Sequence, residues 1–275
     1  MFQKLHKLLC LPTGLILILC ALNSCAFNRA FFKKEPVLID LPDSVNVEFI
    51  TNTNRSGEIL SAAFFKPAGE AKATIFMLKG NSGDISSWYN IISVLLKNNY
   101  QVFTFDYEGM GESEGRASHR NVLTDSQLFL KQVKKRSDVK NKKLILWGFS
   151  FGGNLAVKLA HNNPGVFDLM VLEGAFTSQR AVSLIKMPKI LKPFVFFMAR
   201  SPYSSLKLLP KAENLPLLVV HSVEDKEIPF RMGLKLYNNA NQPKMFFEVL
   251  GNHCQALLLY EEEYMKKIDK LLLPG

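Results

Sequence analysis

Residues 144–154 read LILWGFSFGGN, an apolar run that stops at a serine boxed in by glycines. The run has the length and composition of a strand buried on both faces, and the residues after it, GNLAVKLA, read as a helix. Ser150 sits at the junction. A chain turning sharply from strand into helix needs small neighbours, which Gly148 and Gly152 supply, and such a turn holds the hydroxyl above the sheet edge. The helix start behind it presents backbone N–H groups and a positive dipole end, both suited to a developing oxyanion. The three fixed letters of G-x-S-x-G arise by chance in roughly one chain of this length in ten. The surrounding sequence must therefore supply the rest of the argument.

Outward from that turn the pattern repeats. Short, nearly continuous apolar runs lie at 73–79 (ATIFMLK), 101–106 (QVFTFD), 143–149 (KLILWGF), 168–174 (DLMVLEG), 215–221 (LPLLVVH) and 245–251 (MFFEVLG). Helical stretches separate or follow them at 85–98, 121–135, 153–163, 229–240 and 255–272; in the second, Val122, Phe129 and Val133 share one face with Leu130 beside them. Two further strands, 45–51 and 59–65, flank the turn-rich NTNRSG as a hairpin. This alternation predicts an α/β fold: a mostly parallel sheet with helices on both faces and an antiparallel start. One interval breaks the rhythm. About forty residues separate the fourth of these runs from the fifth, too many for an ordinary loop. They include SLIKMPKILKPFVFFMARSPY, an apolar stretch with interleaved Lys186, Lys189, Lys192 and Arg200. We expect residues 176–213 to form a small lid in which part of 185–198, with the cluster Phe194, Val195, Phe196 and Phe197, lines an acyl pocket. The competing expectation packs those aromatics against the sheet as ordinary core.

A serine nucleophile needs a base, and the base needs an orienting carboxylate. Both belong at the carboxyl ends of later strands. SVEDKEIP, after LPLLVVH, offers Glu224 and Asp225; GNHC, after MFFEVL, offers His253. The chain order serine, acid, histidine suits an α/β sheet of this kind. His6 lies near the N-terminus, His119 and His161 fall in helical stretches, and His221 closes its strand and shapes the following loop. The residues alone leave Glu224 and Asp225 both open.

The pieces LKGNSGD, FDYEGMGESEG, GFSFGGN, HSVEDKEIPF and GNHCQ, spread from about residue 45 to the C-terminus, resemble the α/β-hydrolase superfamily. The resemblance is to its serine aminopeptidase-like branch, which also includes lidless protein depalmitoylases. It implies the α/β-hydrolase fold, with Asp225 as the acid by the pattern H-G-x-x-D and the backbone amides of Asn81 and Phe151 as oxyanion donors. The sequence departs from the pattern where Lys79 replaces a histidine, Glu108 an arginine and Ser222 a glycine, and where Asn252 precedes the base. The expected activity is a cofactor-free and metal-free serine hydrolase, acting through an acyl-enzyme on a carboxylic ester or thioester of a small-molecule or acylated substrate. Two rivals stand beside it. An aminopeptidase would need acids near the pocket, for which Glu108, Glu112 and Glu114 are candidates. An inert, membrane-tethered binding protein would follow if the altered first loop distorted the oxyanion hole. A nucleotide loop at Gly109-Met110-Gly111 is excluded: Glu114 stands where the third glycine belongs, and three glutamates would repel a pyrophosphate.

The N-terminus reads differently. Lys4 and Lys7 precede an apolar core that ends in Leu22-Asn23-Ser24-Cys25. That core is short for a membrane span and suits a signal peptide, and its end resembles a bacterial lipobox. Residues 1–24 are thus expected to be a lipoprotein-type signal, with Cys25 as the lipidated residue, 25–42 as a tether and 43–275 as the hydrolase domain. The expected location is the bacterial cell envelope, at a membrane through the lipid anchor. Removal of the signal takes Cys10 and Cys20 with it and leaves Cys254 without an intramolecular disulfide partner. The net charge of +10 would fall by two, to +8. Lysine and arginine are spread along the chain, and the densest run, VKKRSDVKNKK at 133–143, reads as a solvated loop. We expect no nucleic-acid partner.

Overall fold

The computed structural model describes residues 32, 41–193, 196, 199, 202–212 and 214–272. Eight strands form one sheet: β1 (Val47–Thr53), β2 (Ile59–Phe65), β3 (Ala73–Leu78), β4 (Tyr100–Phe105), β5 (Lys143–Phe149), β6 (Leu169–Glu173), β7 (Leu217–Ser222) and β8 (Lys244–Val249). Their spatial order is β1-β2-β4-β3-β5-β6-β7-β8. The hairpin β1–β2 is antiparallel, with Thr53 opposite Ile59, and β2 is antiparallel to β4. Every later neighbouring pair is parallel. This is the α/β-hydrolase fold.

The helices are α1 (Tyr89–Lys97), α2 (His119–Val133), α3 (Phe151–Asn162), α4 (Gln179–Lys186), α5 (Ser205–Leu208), α6 (Phe230–Asn239), α7 (Ala256–Leu259) and α8 (Glu261–Leu272). They cover both faces of the sheet, which is why its central strands are apolar throughout and do not alternate. In β5, Leu144 and Leu146 enter one core layer with Phe129, Phe151 and Leu155. Ile145, Trp147 and Phe149 enter the other, with Ile92, Leu95 and Tyr264. Trp147 stacks on Tyr264 with ring centroids 5.1 Å apart. Each such side chain contributes about 1.5–3 kcal/mol by leaving water, and together they fix the register that carries Ser150 to the end of β5.

Several helices depart from the sequence pattern: α1 starts at Tyr89 behind a 3-10 turn at Ser86–Trp88, and α3 starts at Phe151, two residues before the expected 153. α2 begins two residues before the expected 121, because the Ser118 hydroxyl accepts the Asn121 N–H at 3.1 Å and caps the first turn. The stretch 255–272 is two helices broken at Tyr260, whose hydroxyl accepts the Leu250 N–H at 3.3 Å beyond the end of β8. The basic run at 133–143 is solvated as expected, and Arg136 pairs with Glu48 at 2.7 Å and Asp138 at 2.9 Å.

The long interval after β6 leaves and rejoins the sheet at neighbouring points, joined by an isolated antiparallel bridge between Ser178 and Ser204. Its ends are core: Phe176, Val182, Tyr203 and Leu209 are buried in the layer that holds Leu155. Between them Ile190 is 87% exposed and Phe196 46%. Phe194, Val195, Phe197, Met198 and Arg200 lie outside the described residues, as do residues 1–31, including Cys25 and the expected signal peptide. Among the described residues, no helix is long and apolar enough to cross a membrane, and no cluster of side chains could hold a metal ion.

Candidate active site

Ser150 occupies the turn between β5 and α3 with φ 51° and ψ −114°, a conformation L-residues rarely adopt. Such a backbone stores on the order of 1–3 kcal/mol and persists only where its surroundings enforce it. Here they do so from two sides. The Ser150 N–H donates to the Glu173 carbonyl of the next strand at 2.8 Å, and its own carbonyl accepts the Gly153 N–H at 3.1 Å. Both flanking glycines are required by close approach: a Cβ at Gly152 would collide with the carbonyls of Leu78 and Lys79, and one at Gly148 with the backbone of Gly152 and Gly153.

The two acids left open by the sequence separate cleanly. Asp225 Oδ2 lies 2.6 Å from His253 Nδ1, while its Oδ1 accepts the N–H groups of Glu227 and Ile228, each at 2.8 Å. Glu224 turns away and accepts the Gly251 N–H at 2.8 Å, closing the histidine turn from outside. Burial opposes ionisation of Asp225, but the hydrogen bond and charge of His253, with the Ile228 N–H, outweigh it and hold the carboxyl below its usual range. His221 shapes the acid's loop: its Nε2 lies 2.9 Å from the Ile228 carbonyl, and burial lowers its pKa against that contact and the charge of Asp225.

Ser150 and His253 line one cleft of about 290 Å³ with Gly80, Asn81, Ser82, Ser87, Trp88, Asn90, Ile91, Cys254 and Leu258. Its walls are the first loop, the start of α1 and the histidine turn. Among the described residues of 176–213 none lines it. Phe151 is buried at the first position of α3, its ring edge-on to Tyr107 at 5.9 Å and to His119 at 5.3 Å. Cys254 borders the cleft, but burial, reinforced by Glu173 and Asp225, pushes its thiol well above the ordinary range. It is a neutral thiol beside the imidazole.

Two of the departures from the family pattern, Lys79 and Glu108, are paired inside the fold. Lys79 is fully buried and its ammonium pairs with Asp106; the Lys79 carbonyl accepts the Tyr107 hydroxyl at 2.8 Å. Burial lowers the lysine pKa and raises that of Asp106, and the attraction between them opposes both shifts. Glu108 accepts hydrogen bonds from the Asn54 side chain at 2.9 Å and the Asn121 side chain at 2.8 Å. The glycines of the expected non-nucleotide loop make a tight turn, with φ 72° at Gly109 and 49° at Gly111.

Residues 69–207, just over half of the chain, match the family described as serine aminopeptidase, S33. The chain belongs to that family. It is 30% identical over 244 residues to the protein YfhR of Escherichia coli O157:H7, an alignment covering 85% of this chain and 84% of that one. It is also 30% identical over 184 residues to the lysophosphatidylserine lipase ABHD12 of Danio rerio, covering 62% of this chain and 48% of the lipase. The solved esterase Pf2001 of Pyrococcus furiosus superposes with a TM-score of 0.68 over 87% of this chain and 98% of its own, at 18% identity, a likeness of fold. This S33 family member is a hydrolase of the α/β fold.

Among the buried acids that sequence reasoning missed in this family member, one lies beside the site. Glu173, the last residue of β6, is 2% exposed; its Oε1 accepts the Ala256 N–H at 2.9 Å and its Oε2 the Tyr264 hydroxyl at 3.0 Å. Burial pushes its pKa up to about 7 against those two hydrogen bonds. Its only signal in the chain is an acidic residue ending an apolar run, which reads as an ordinary exposed strand end.

Proposed function

We propose that this chain is a serine hydrolase that cleaves a carboxylic ester or thioester through an acyl-enzyme on Ser150. The observation that carries the reading is the shared cleft: Ser150, held at positive φ, and His253, held through Nδ1 by Asp225, line the same small pocket. With Nδ1–H donating to Asp225, Nε2 takes the serine proton as Oγ attacks the carbonyl. The N–H groups of Asn81 and Phe151 stabilise the tetrahedral oxyanion. His253 then returns the proton to the departing alcohol or thiol, and water, activated by the same imidazole, releases the acid and restores Ser150.

The cleft lining favours an ester over an α-amine substrate. Among the described residues, its lining carries no ionisable group besides His253 and the Cys254 thiol, and none of Glu108, Glu112 or Glu114 belongs to it. Glu108 is committed to Asn54 and Asn121, and Glu114 to the Ile59 N–H at 2.9 Å, all on the hairpin side of the sheet. An aminopeptidase would leave the substrate's ammonium without a partner there. Trp88, Ile91 and Leu258 give the acyl group an apolar wall. Against the inert-binder reading, the Lys79 charge is matched by Asp106 and Lys79 is not among the described residues that line the cleft. The N-terminal segment completes the proposal: lipidation at Cys25 would hold the enzyme at a bacterial envelope membrane.

Labelling with a fluorophosphonate, followed by p-nitrophenyl esters of two to twelve carbons, an acyl thioester and alanine p-nitroanilide, tests the reading. We expect label on Ser150 and turnover of esters and thioester. Folded protein that takes no label and turns over none of them overturns it in favour of a binding protein, and preferential turnover of the anilide overturns it in favour of a peptidase.

A further inference from the structure

We infer that Glu173 is a positioning residue that holds Ser150 and His253 in mutual register, an assignment that rests on the serine hydrolase reading above. One residue reaches both sides of the site. Its carbonyl accepts the Ser150 N–H at 2.8 Å, and its carboxylate accepts the Ala256 N–H at 2.9 Å, three positions after His253. Its carbonyl also takes a weak 3.7 Å contact from the Cys254 thiol. The next residue continues the support: a Cβ on Gly174 would lie 2.8 Å from His253 Cε1 and 3.0 Å from Cys254 Sγ, so the imidazole edge rests against bare backbone. Residues 173 and 174 are a platform between the nucleophile turn and the histidine turn.

The chemistry of the residue argues that the platform is more than packing. A buried carboxylate without a cation is costly, and among the described residues the partners of Glu173 include no lysine or arginine. Its carboxyl bonds Tyr264 and feels the opposing charges of His253 and Asp225. An apolar side chain would fill the same space more favourably but would leave the Ala256 N–H unpaired at the start of α7. The histidine turn already carries strain, with Cys254 at φ 56°, so it needs a fixed anchor on its far side. Tyr264, stacked on Trp147, in turn fixes the second carboxylate oxygen. The carboxylate thus transfers the rigidity of the sheet to the loop that carries the base, and a loop misplaced by about 1 Å can cost on the order of 100-fold in rate.

The test compares Glu173→Ala, Glu173→Gln and Tyr264→Phe in the full chain, with p-nitrophenyl butyrate as substrate and kcat expressed per fluorophosphonate-labelled site. Glu173→Ala should lose on the order of 100-fold in kcat with KM within about threefold of wild type. Glu173→Gln, whose amide oxygen still accepts the Ala256 N–H, should recover to within about fivefold, and Tyr264→Phe should stay near wild type because the Ala256 bond survives. If Glu173→Ala does not fold, Glu173→Asp carries the same expectation, since it keeps the charge and loses the reach. A folded Ala or Asp variant with kcat per labelled site within twofold of wild type overturns the inference, and so does a Gln variant no better than Ala. A wild-type chain that neither labels nor turns over the ester overturns the hydrolase reading and takes this inference with it.

Discussion

Asp225 and His253 meet at 2.6 Å through Oδ2 and Nδ1, which in the proposed mechanism leaves the other imidazole nitrogen, Nε2, to carry the proton. Ser150→Ala and His253→Ala should each remove ester turnover almost completely, and the double variant should be no worse than either, because parts of one nucleophilic unit are not additive. Asp225→Asn should lose about 10³–10⁴-fold in kcat and keep a residue of activity. Glu224→Gln, which touches only the Gly251 N–H, should be mild. Initial rates on one short ester decide all four; a Glu224 variant worse than the Asp225 variant would reverse the assignment of the acid.

The buried pair of Lys79 and Asp106 predicts an asymmetry in stability. Lys79→Met alone strands an acid in the core and should cost about 3–5 kcal/mol in urea unfolding. Lys79→Met with Asp106→Leu should recover most of that loss, since an apolar pair of similar volume avoids both desolvation penalties. A double variant as unstable as the single one would show that the pair does more than neutralise itself.

Asp125 sets a pH dependence of stability. Burial, followed by the neighbouring Glu108, pushes its carboxyl from the ordinary 3.8 up to about 8. Between those values the folded chain keeps a proton that the unfolded chain has released, so this group makes stability fall as pH rises from about 4 to about 8. Asp125→Asn imitates the protonated form and should remove the dependence, gaining about 1–3 kcal/mol at pH 8 relative to pH 5. Equal melting shifts for wild type and variant across that range would contradict the assignment.

Anchoring should depend on Cys25. Each buried methylene of an acyl chain contributes about 0.8 kcal/mol, and more than one chain makes attachment durable. Cys25→Ser should therefore lose labelled fatty acid and retain the precursor mass, whereas an unchanged lipid signal in that variant would remove the lipoprotein proposal.

The fold was legible because β3 to β7 are covered on both sides, which forces near-continuous apolar runs that no surface strand needs. Ser150 was legible for a related reason: the glycines that allow the turn must sit within two residues of it. Other parts depend on contacts that are distant in the chain. Glu224 and Asp225 are neighbours of similar chemistry, and only the turn after β7 decides which one faces His253. Lys79 is unexpected until Asp106, on the adjacent strand's end, is placed beside it. Glu173 becomes a buried acid only when Ala256 and Tyr264, from the far C-terminal helices, fold over β6. The break at Tyr260 was hidden because residues on both sides of it have helical composition, and the reach of one hydroxyl to Leu250 decides the matter.

The bridge between Ser178 and Ser204 gives the stretch after β6 a closed base, with the Leu206 N–H bonded to the Thr177 carbonyl at 3.3 Å just below it. A loop tied at its root is thermodynamically almost indifferent to its length, because closure entropy grows only with the logarithm of the number of residues. The hydrolase scaffold therefore tolerates changes of length in the exposed part of that stretch, around Ile190, as long as its buried ends, Val182 and Tyr203, keep their places in the core.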